Sequence, residues 1–284
     1  MNETKINWTE LTWNPASGCT KISAGCKHCY AESLAENKRG TPAFPVGFDV
    51  VEKPWKLDEP RKVKRASLIF TNSMTDMFHE KISDGYRESI CEAMERYGHH
   101  RYQVLTKRPD AAAAFFASRP VPASVWLGAS VEHAATVWRI DALRSIDARV
   151  RFLSCEPLIG AIGPIDLAGI HWVIGGGESG VHMAREHIAE ERGMVRRAVK
   201  GWDVREDRKP WARELRDQCT AAGVAFWWKQ WGGTKPGSAG RDFDGRTWDE
   251  MPSHAGAMPD GEYVHRDPRA RRQLPLVTVP VISE

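Results

Sequence analysis

Three cysteines fall within eleven residues near the N-terminus, as Cys19-x6-Cys26-x2-Cys29. The other cysteines, Cys91, Cys155 and Cys219, are scattered. Three thiolates without an obvious fourth partner suit a 4Fe–4S cluster, which leaves one iron open for an exchangeable ligand. A structural zinc site wants four ligands, usually from paired C-x2-C units. His28 is a candidate fourth, but it stands between two ligands and is expected to point elsewhere. Zinc is the leading alternative. Gly18 and Gly25 each precede a cysteine, where the backbone is expected to pass close to sulfur. Tyr30 follows the last cysteine and either shields the centre, stacks on a base, or packs into the core at the start of a helix over 31–37.

Such a loop needs rigid elements to hold it. Short apolar runs, β-branched or aromatic and little alternated, occur at 67–72, 102–106, 125–130, 150–155, 171–175 and 224–228, with another near 11–13. This is the pattern of parallel strands covered on both faces. Between them, Tyr86, Ile90, Met94 and Tyr97 share a helical face, and so do Trp211, Leu215, Cys219 and Ala222, with Gly223 as a stop. Pro109 opens a third, alanine-rich helix and 137–146 supplies a fourth. The alternation predicts right-handed βαβ units in an α/β fold, a partial or complete parallel TIM-like β/α barrel over residues 1–232. A Rossmann-like sheet is the alternative, but no strand is followed by a good G-x-G-x-x-G. The proline- and charge-rich stretch 37–66 reads as an insertion or flap. Residues 233–284, rich in Gly, Pro, Asp and Arg, read as an extension that wraps the barrel or is partly disordered.

A parallel barrel builds its site from the C-terminal ends of its strands. Those ends are polar throughout: Asn72, Ser73 and Asp76 after the second, Lys107-Arg108 after the third, Ser130 and Glu132 after the fourth. Glu156, then Gly175-Gly176-Gly177-Glu178, then Lys229 complete the rim. The glycines offer backbone N–H groups to an anion or adenosine, or simply make a tight turn. Asp76, Lys107, Glu156, Glu178 and Lys229 are candidate acid, base or substrate-binding groups, or else an ion network that closes the barrel.

Gly18-Cys19, Gly25-Cys26-x2-Cys29-Tyr30-Ala31, Asn72-Ser73-Met74-x-Asp76, Leu105-Thr106-Lys107-Arg108, Ser130-Val131-Glu132, Ser154-x-Glu156-Pro157, Gly176-Gly177-Glu178-Ser179 and Lys229-Gln230-Trp231-Gly232, taken as a set over residues 8–232, resemble a phage-associated three-cysteine family. A three-cysteine loop after the first strand of such a barrel also resembles the radical S-adenosylmethionine superfamily. The resemblance implies that Cys19, Cys26 and Cys29 hold three irons and that S-adenosylmethionine takes the fourth. It implies reductive cleavage to a 5′-deoxyadenosyl radical, with electrons from a separate donor. Ser130 and Glu132 resemble ribose-contacting positions, and Asn72 and Ser73 stand where a Gly-Gly-Glu usually binds the methionine amine. Tyr30, Gly176 and Gly177 are further cofactor candidates. The chain departs from the superfamily in its six-residue first gap, where C-x3-C is commonest, and in lacking Gly-Gly-Glu after the second strand.

The sequence has 284 residues, 42% hydrophobic, with net charge +3. Basic clusters at 61–65, 192–209 and 269–272 fit contact with phosphates, so nucleic acid is a candidate partner. A non-catalytic iron–sulfur or zinc nucleic-acid-binding accessory protein is therefore the rival to an enzyme. Four rim carboxylates, Asp76, Glu132, Glu156 and Glu178, favour the enzyme, because a phosphate-binding face does not normally gather them. No apolar run is long enough to span a bilayer, and the polar N-terminus is no signal peptide, which predicts a cytoplasmic protein.

Overall fold

The computed structural model describes residues 1–252. Twelve strands appear among them in chain order: β1 Asn2–Glu3, β2 Leu11–Trp13, β3 Ala16–Ser17, β4 Val51–Glu52, β5 Leu68–Thr71, β6 Arg101–Thr106, β7 Val125–Ser130, β8 Val150–Cys155, β9 Trp172–Gly175, β10 Val195–Arg197, β11 Trp202–Val204 and β12 Ala225–Trp228. The α-helices are α1 Tyr30–Glu36, α2 Asp84–Arg96, α3 Pro109–Phe116, α4 Trp138–Arg144, α5 Glu186–Arg192 and α6 Lys209–Ala222. The seven expected strands are all present, and Gly223 adopts the left-handed conformation that ends α6.

The main sheet has eight strands in the order β1-β2-β5-β6-β7-β8-β9-β12. Every pairing from β2 to β12 is parallel, and only β1 is antiparallel. No strand pairing joins β1 to β12 among the described residues, so the sheet is an open one. It nevertheless curls around an aromatic interior. Trp8, Phe70, Trp126, Phe152, Trp172 and Trp227 form one buried cluster. Trp8, ahead of β2, lies 6.2 Å from Trp172 near the other edge, and the Asn7 amide donates to the Lys229 carbonyl at 3.3 Å. The larger cluster lies between the sheet and the helices, so both faces are buried, as the unbroken apolar runs predict.

The far edge is covered. Glu250 N–H donates to Phe226 O at 3.2 Å, Trp228 N–H to Trp248 O at 2.9 Å, and Phe243 packs between Trp228 and Trp231. Residues 233–252 thus wrap β12 and remove an open edge. The remainder of the expected extension, with the 269–272 basic cluster, lies outside the described residues.

The insertion at 37–66 is built into the fold. Its strand β4 pairs with β3, and two short 3-10 turns at Pro54–Lys56 and Glu59–Lys62 carry it back to the sheet. His100 locks its far end through Pro60 O, 3.2 Å from Nε2. Burial pushes the imidazole down to about 4, below its unfolded value near 6.5. A lowered folded pKa means that the stability contribution is present above pH 6.5 and is lost as pH falls through 4. Denaturation across that window is expected to show a loss of about 3 kcal/mol that His100→Gln removes; an unchanged slope in the variant contradicts this.

Helix α5 and the hairpin β10–β11 are elements that the apolar pattern does not announce. Only Ile188, Ala189 and Arg192 of α5 are buried, too few to mark an apolar face. No helix among the described residues is long and apolar enough to cross a membrane.

Candidate functional site

One cavity of about 280 Å³ opens at the C-terminal ends of the parallel strands. Cys19, Cys26 and Cys29 all line it, and none is in a disulfide. Tyr30, Asn72, Ser73, Asp76, Lys107, Ser130, Glu156, Gly177, Glu178 and Lys229 line it too. Two sequence candidates do not: Glu132 and Gly176 stand behind its wall.

The cysteine loop is held from four sides. Gly18 N–H donates to Met74 O at 2.9 Å, and the Thr75 hydroxyl bonds Gly18 O. Cys19 N–H donates to Phe48 O at 3.3 Å, so the insertion grips the first cysteine. Arg192 reaches Ala24 O at 3.0 Å while forking onto Glu178 at 2.6 and 3.2 Å. Ser23 Oγ donates to Glu132 Oε1 at 2.9 Å. These walls leave no room for a side chain at either glycine. A Cβ on Gly18, at φ +87°, would sit 2.1 Å from Asp49 O, and one on Gly25 would sit 2.5 Å from Glu132 Oε1.

Glu132 is fully enclosed and binds Lys107 Nζ and Arg139 Nη1, each at 2.9 Å. Burial pushes its carboxyl up, but Lys107, Arg139 and Ser23 outweigh this and hold it below the usual range. It therefore braces the loop and does not line the cavity. Its side chain turns away from the cavity because two cations and Ser23 converge behind the wall.

Asp76 is likewise occupied. Thr106 Oγ1 and Phe78 N–H donate to one oxygen at 2.7 and 3.0 Å, and Lys107 N–H and Arg108 Nη1 donate to the other at 3.0 and 3.2 Å. Arg108 continues to Cys19 Sγ at 3.6 Å and to Thr20 Oγ1 at 2.9 Å. Burial and then the Asp76 charge push the Cys19 thiol up, and Arg108 opposes them. Glu156 and Lys229 pair at 2.9 Å in the cavity wall.

The glycine run serves packing. Cβ atoms at Gly175, Gly176 and Gly177 would meet the Trp228 ring at 2.9 Å, Glu156 Oε1 at 2.7 Å and Trp231 O at 2.0 Å. None of the three has a positive φ, so they let β12 and Glu156 approach instead of forming a left-handed turn. Tyr30 is not core: it is 58% exposed, and its hydroxyl donates to Ser73 O at 2.6 Å. Ser73 Oγ is tied to the Asn14 amide at 3.1 Å.

Asn72 is different. It is 3% exposed, it adopts φ +65°, and neither its amide nitrogen nor its oxygen has a partner. A buried amide left with an unused donor and acceptor is costly, and it lines the cavity. His28 also lines it and stacks on His182 at 4.4 Å, with His182 Nε2 3.2 Å from Glu178. Arg139, Arg192 and His182 escape a reading of the sequence for site residues. They lie 7, 14 and 4 positions from the carboxylates they bind, and no strand-end position marks them.

The donor set tests what the site can hold. Among the described residues no three His, Cys, Asp or Glu side chains converge enough to share one metal ion, as a four-ligand zinc site requires. In a cluster each thiolate would bind a different iron, and the three cysteines line one cavity.

A family model described as "Protein of unknown function (DUF5131)" matches residues 3–200 and 199–252. The chain belongs to this family. No curated protein matches the DUF5131 chain. Solved structures with a similar chain course include a cysteine-to-serine mutant of spore photoproduct lyase, at 10% identity and TM-score 0.46, covering 78% of this chain and 76% of that one. Spore photoproduct lyase complexed with dinucleoside spore photoproduct matches at 10% identity and TM-score 0.46, over 75% and 74%. A double mutant of the same lyase, with bound AdoMet and dinucleoside spore photoproduct, matches at 9% identity and TM-score 0.45, over 78% and 76%.

Proposed function

We propose that the protein is a 4Fe–4S, S-adenosylmethionine-dependent radical enzyme. The observation that carries this is the convergence of Cys19, Cys26 and Cys29 on one strand-end cavity whose wall also holds the unpaired Asn72 amide. The bound cluster supplies an electron, taken from an external donor, that cleaves S-adenosylmethionine to methionine and a 5′-deoxyadenosyl radical able to abstract hydrogen.

The chain's own residues bind and enclose. Cys19, Cys26 and Cys29 hold the irons. Asn72 offers a donor and an acceptor together, which matches the amino and carboxylate groups of a methionine moiety, and Tyr30, Ser73, Ser130 and Gly177 line the space beside it. Trp8, Phe70 and Phe48 supply apolar walls that keep water from a reactive centre. Lys107, Glu156, Glu178 and Lys229 remain as substrate-facing groups. Each is already in an ion pair, so they orient a substrate's polar groups more readily than they abstract a proton.

A nucleic-acid substrate is supported by the hairpin β10–β11, whose exposed Arg196, Arg197 and Lys200 make no ion pair among the described residues. It follows α5, which is joined to the cysteine loop through Lys27–Glu191 at 3.2 Å. Exposed cations without a counter-charge fit a phosphate backbone. The acid–base pairs inside the cavity favour catalysis over passive binding.

Asn72→Gly tests the cofactor assignment. Glycine keeps the left-handed backbone and removes two unsatisfied groups, so folding stability is expected to hold or rise. Affinity for S-adenosylmethionine, read by the ligand's perturbation of the reduced cluster's paramagnetic spectrum, is expected to fall about tenfold, the worth of one to two hydrogen bonds. Unchanged affinity places the amide outside the cofactor site.

A further inference from the structure

Asp76 and Arg108 form a pair that the proposed reaction does not use directly, and their placement is unusual. Arg108 caps the start of α3, and its side chain is 12% exposed while that of Asp76 is 8% exposed. The guanidinium contacts Cys19 Sγ at 3.6 Å, Thr20 O at 3.2 Å and Thr20 Oγ1 at 2.9 Å, all from one rigid fork. The carboxylate at its back, with donors from Thr106, Phe78 and Lys107 as well, cannot swing away. Thr20 in turn bonds the ring of His79 at 2.9 Å, which fixes the outer end of the fork.

We infer that the Arg108–Asp76 pair sets the reduction potential of the metal centre that Cys19 ligates, the guanidinium raising it and the carboxylate lowering it. This rests on the cluster assignment above. A reduced centre carries one more negative charge than an oxidised one. A cation touching a ligand sulfur therefore favours reduction, and a nearby anion opposes it; hydrogen bonds to ligand sulfurs act in the same sense as the cation. Both charges are nearly out of water, so neither is screened away. Asp76 has a second duty as a positioning residue, because its bond to Nη1 aims the fork at sulfur. The acid is therefore a tuning group, its two oxygens each taken up by two donors.

The two charges predict shifts of opposite sign. In anaerobically reconstituted protein, a redox titration with dithionite supplies the single electron and reads the reduced cluster by its paramagnetic signal. Arg108→Met leaves Asp76 uncompensated beside Cys19, and at a fixed ambient potential the reduced-to-oxidised ratio is expected to fall about tenfold, 59 mV for a one-electron couple. Asp76→Asn keeps one of the two acceptor oxygens and removes the charge, and the ratio is expected to rise by a similar factor. The double variant returns toward wild type, and Arg108→Lys, which keeps the charge, recovers most of the loss. If methionine at 108 disrupts folding, Arg108→Gln gives the same sign. Wild-type protein that takes up no iron overturns this inference together with the cluster assignment. Full iron content with potentials unmoved by either single variant overturns the inference and leaves the cluster assignment standing.

Discussion

Alanine at Cys19, Cys26 or Cys29 is expected to strip the protein of its metal centre. Wild-type protein reconstituted anaerobically holds about four irons per chain and shows a visible charge-transfer band; each single variant loses the band and most of the iron. The remaining cysteines act as internal controls. Cys155 and Cys219 are fully buried, and burial pushes the thiols of Cys91 and Cys219 up to about 12 and that of Cys155 well up, so none is available as a thiolate. Alanine at Cys91, Cys155 or Cys219 is expected to leave iron content unchanged. Iron that persists in the Cys26 variant contradicts the assignment, and so does stoichiometric zinc with no iron uptake in the wild type.

Removing the Glu132 carboxylate has the largest expected effect on stability. It is fully buried between Lys107 and Arg139 and accepts from Ser23 on the cysteine loop. Glu132→Ala leaves Arg139, whose side chain is 3% exposed, without its counter-charge. Breaking one partner of a buried pair costs about 3–5 kcal/mol, which for a chain of this size lowers Tm by roughly 6–20 °C. The cysteine loop loses its brace at Ser23 as well, so reconstituted iron is expected to leave faster under a chelator. Glu132→Gln, which keeps an acceptor for Ser23, should retain the loop better than alanine while still losing stability. An alanine variant that melts with the wild type rules out Glu132 as the brace.

The strands and most helices are legible because burial on both faces leaves an unbroken apolar run, and burial on one face leaves a 3.6-residue period. Trp211, Leu215 and Cys219 announce α6 in this way, and Leu215 and Cys219 are buried in it. Helix α5 and the hairpin after it carry too little apolar surface to announce themselves. The curl of the sheet is legible only as an expectation of a barrel: strand runs fix order and direction, but pairing between β1 and β12 depends on segments ahead of β2 and after β12.

At the site, strand-end position identifies which residues face the rim but not which way each side chain turns. Glu132 follows β7 as a ribose contact would, yet Arg139 and Lys107 draw it behind the wall. Asp76 stands in the rim, yet four donors consume its lone pairs. Arg108, beside Cys19, lies 89 positions away along the chain, and no local spacing encodes that meeting. The glycines show the same limit. A glycine in sequence reports that a Cβ does not fit, and only the fold says that the obstacle is Asp49, Glu132 or Trp231.

The central claim is that this cavity holds a cluster that cleaves S-adenosylmethionine, and the product of that cleavage is its most direct test. Reconstituted protein, reduced with dithionite and incubated with S-adenosylmethionine, is expected to release 5′-deoxyadenosine and methionine, detectable by liquid chromatography and mass spectrometry. The Cys29→Ala variant is expected to release neither. Iron-replete, reduced wild-type protein that forms no 5′-deoxyadenosine above the level of the Cys29 variant contradicts the account.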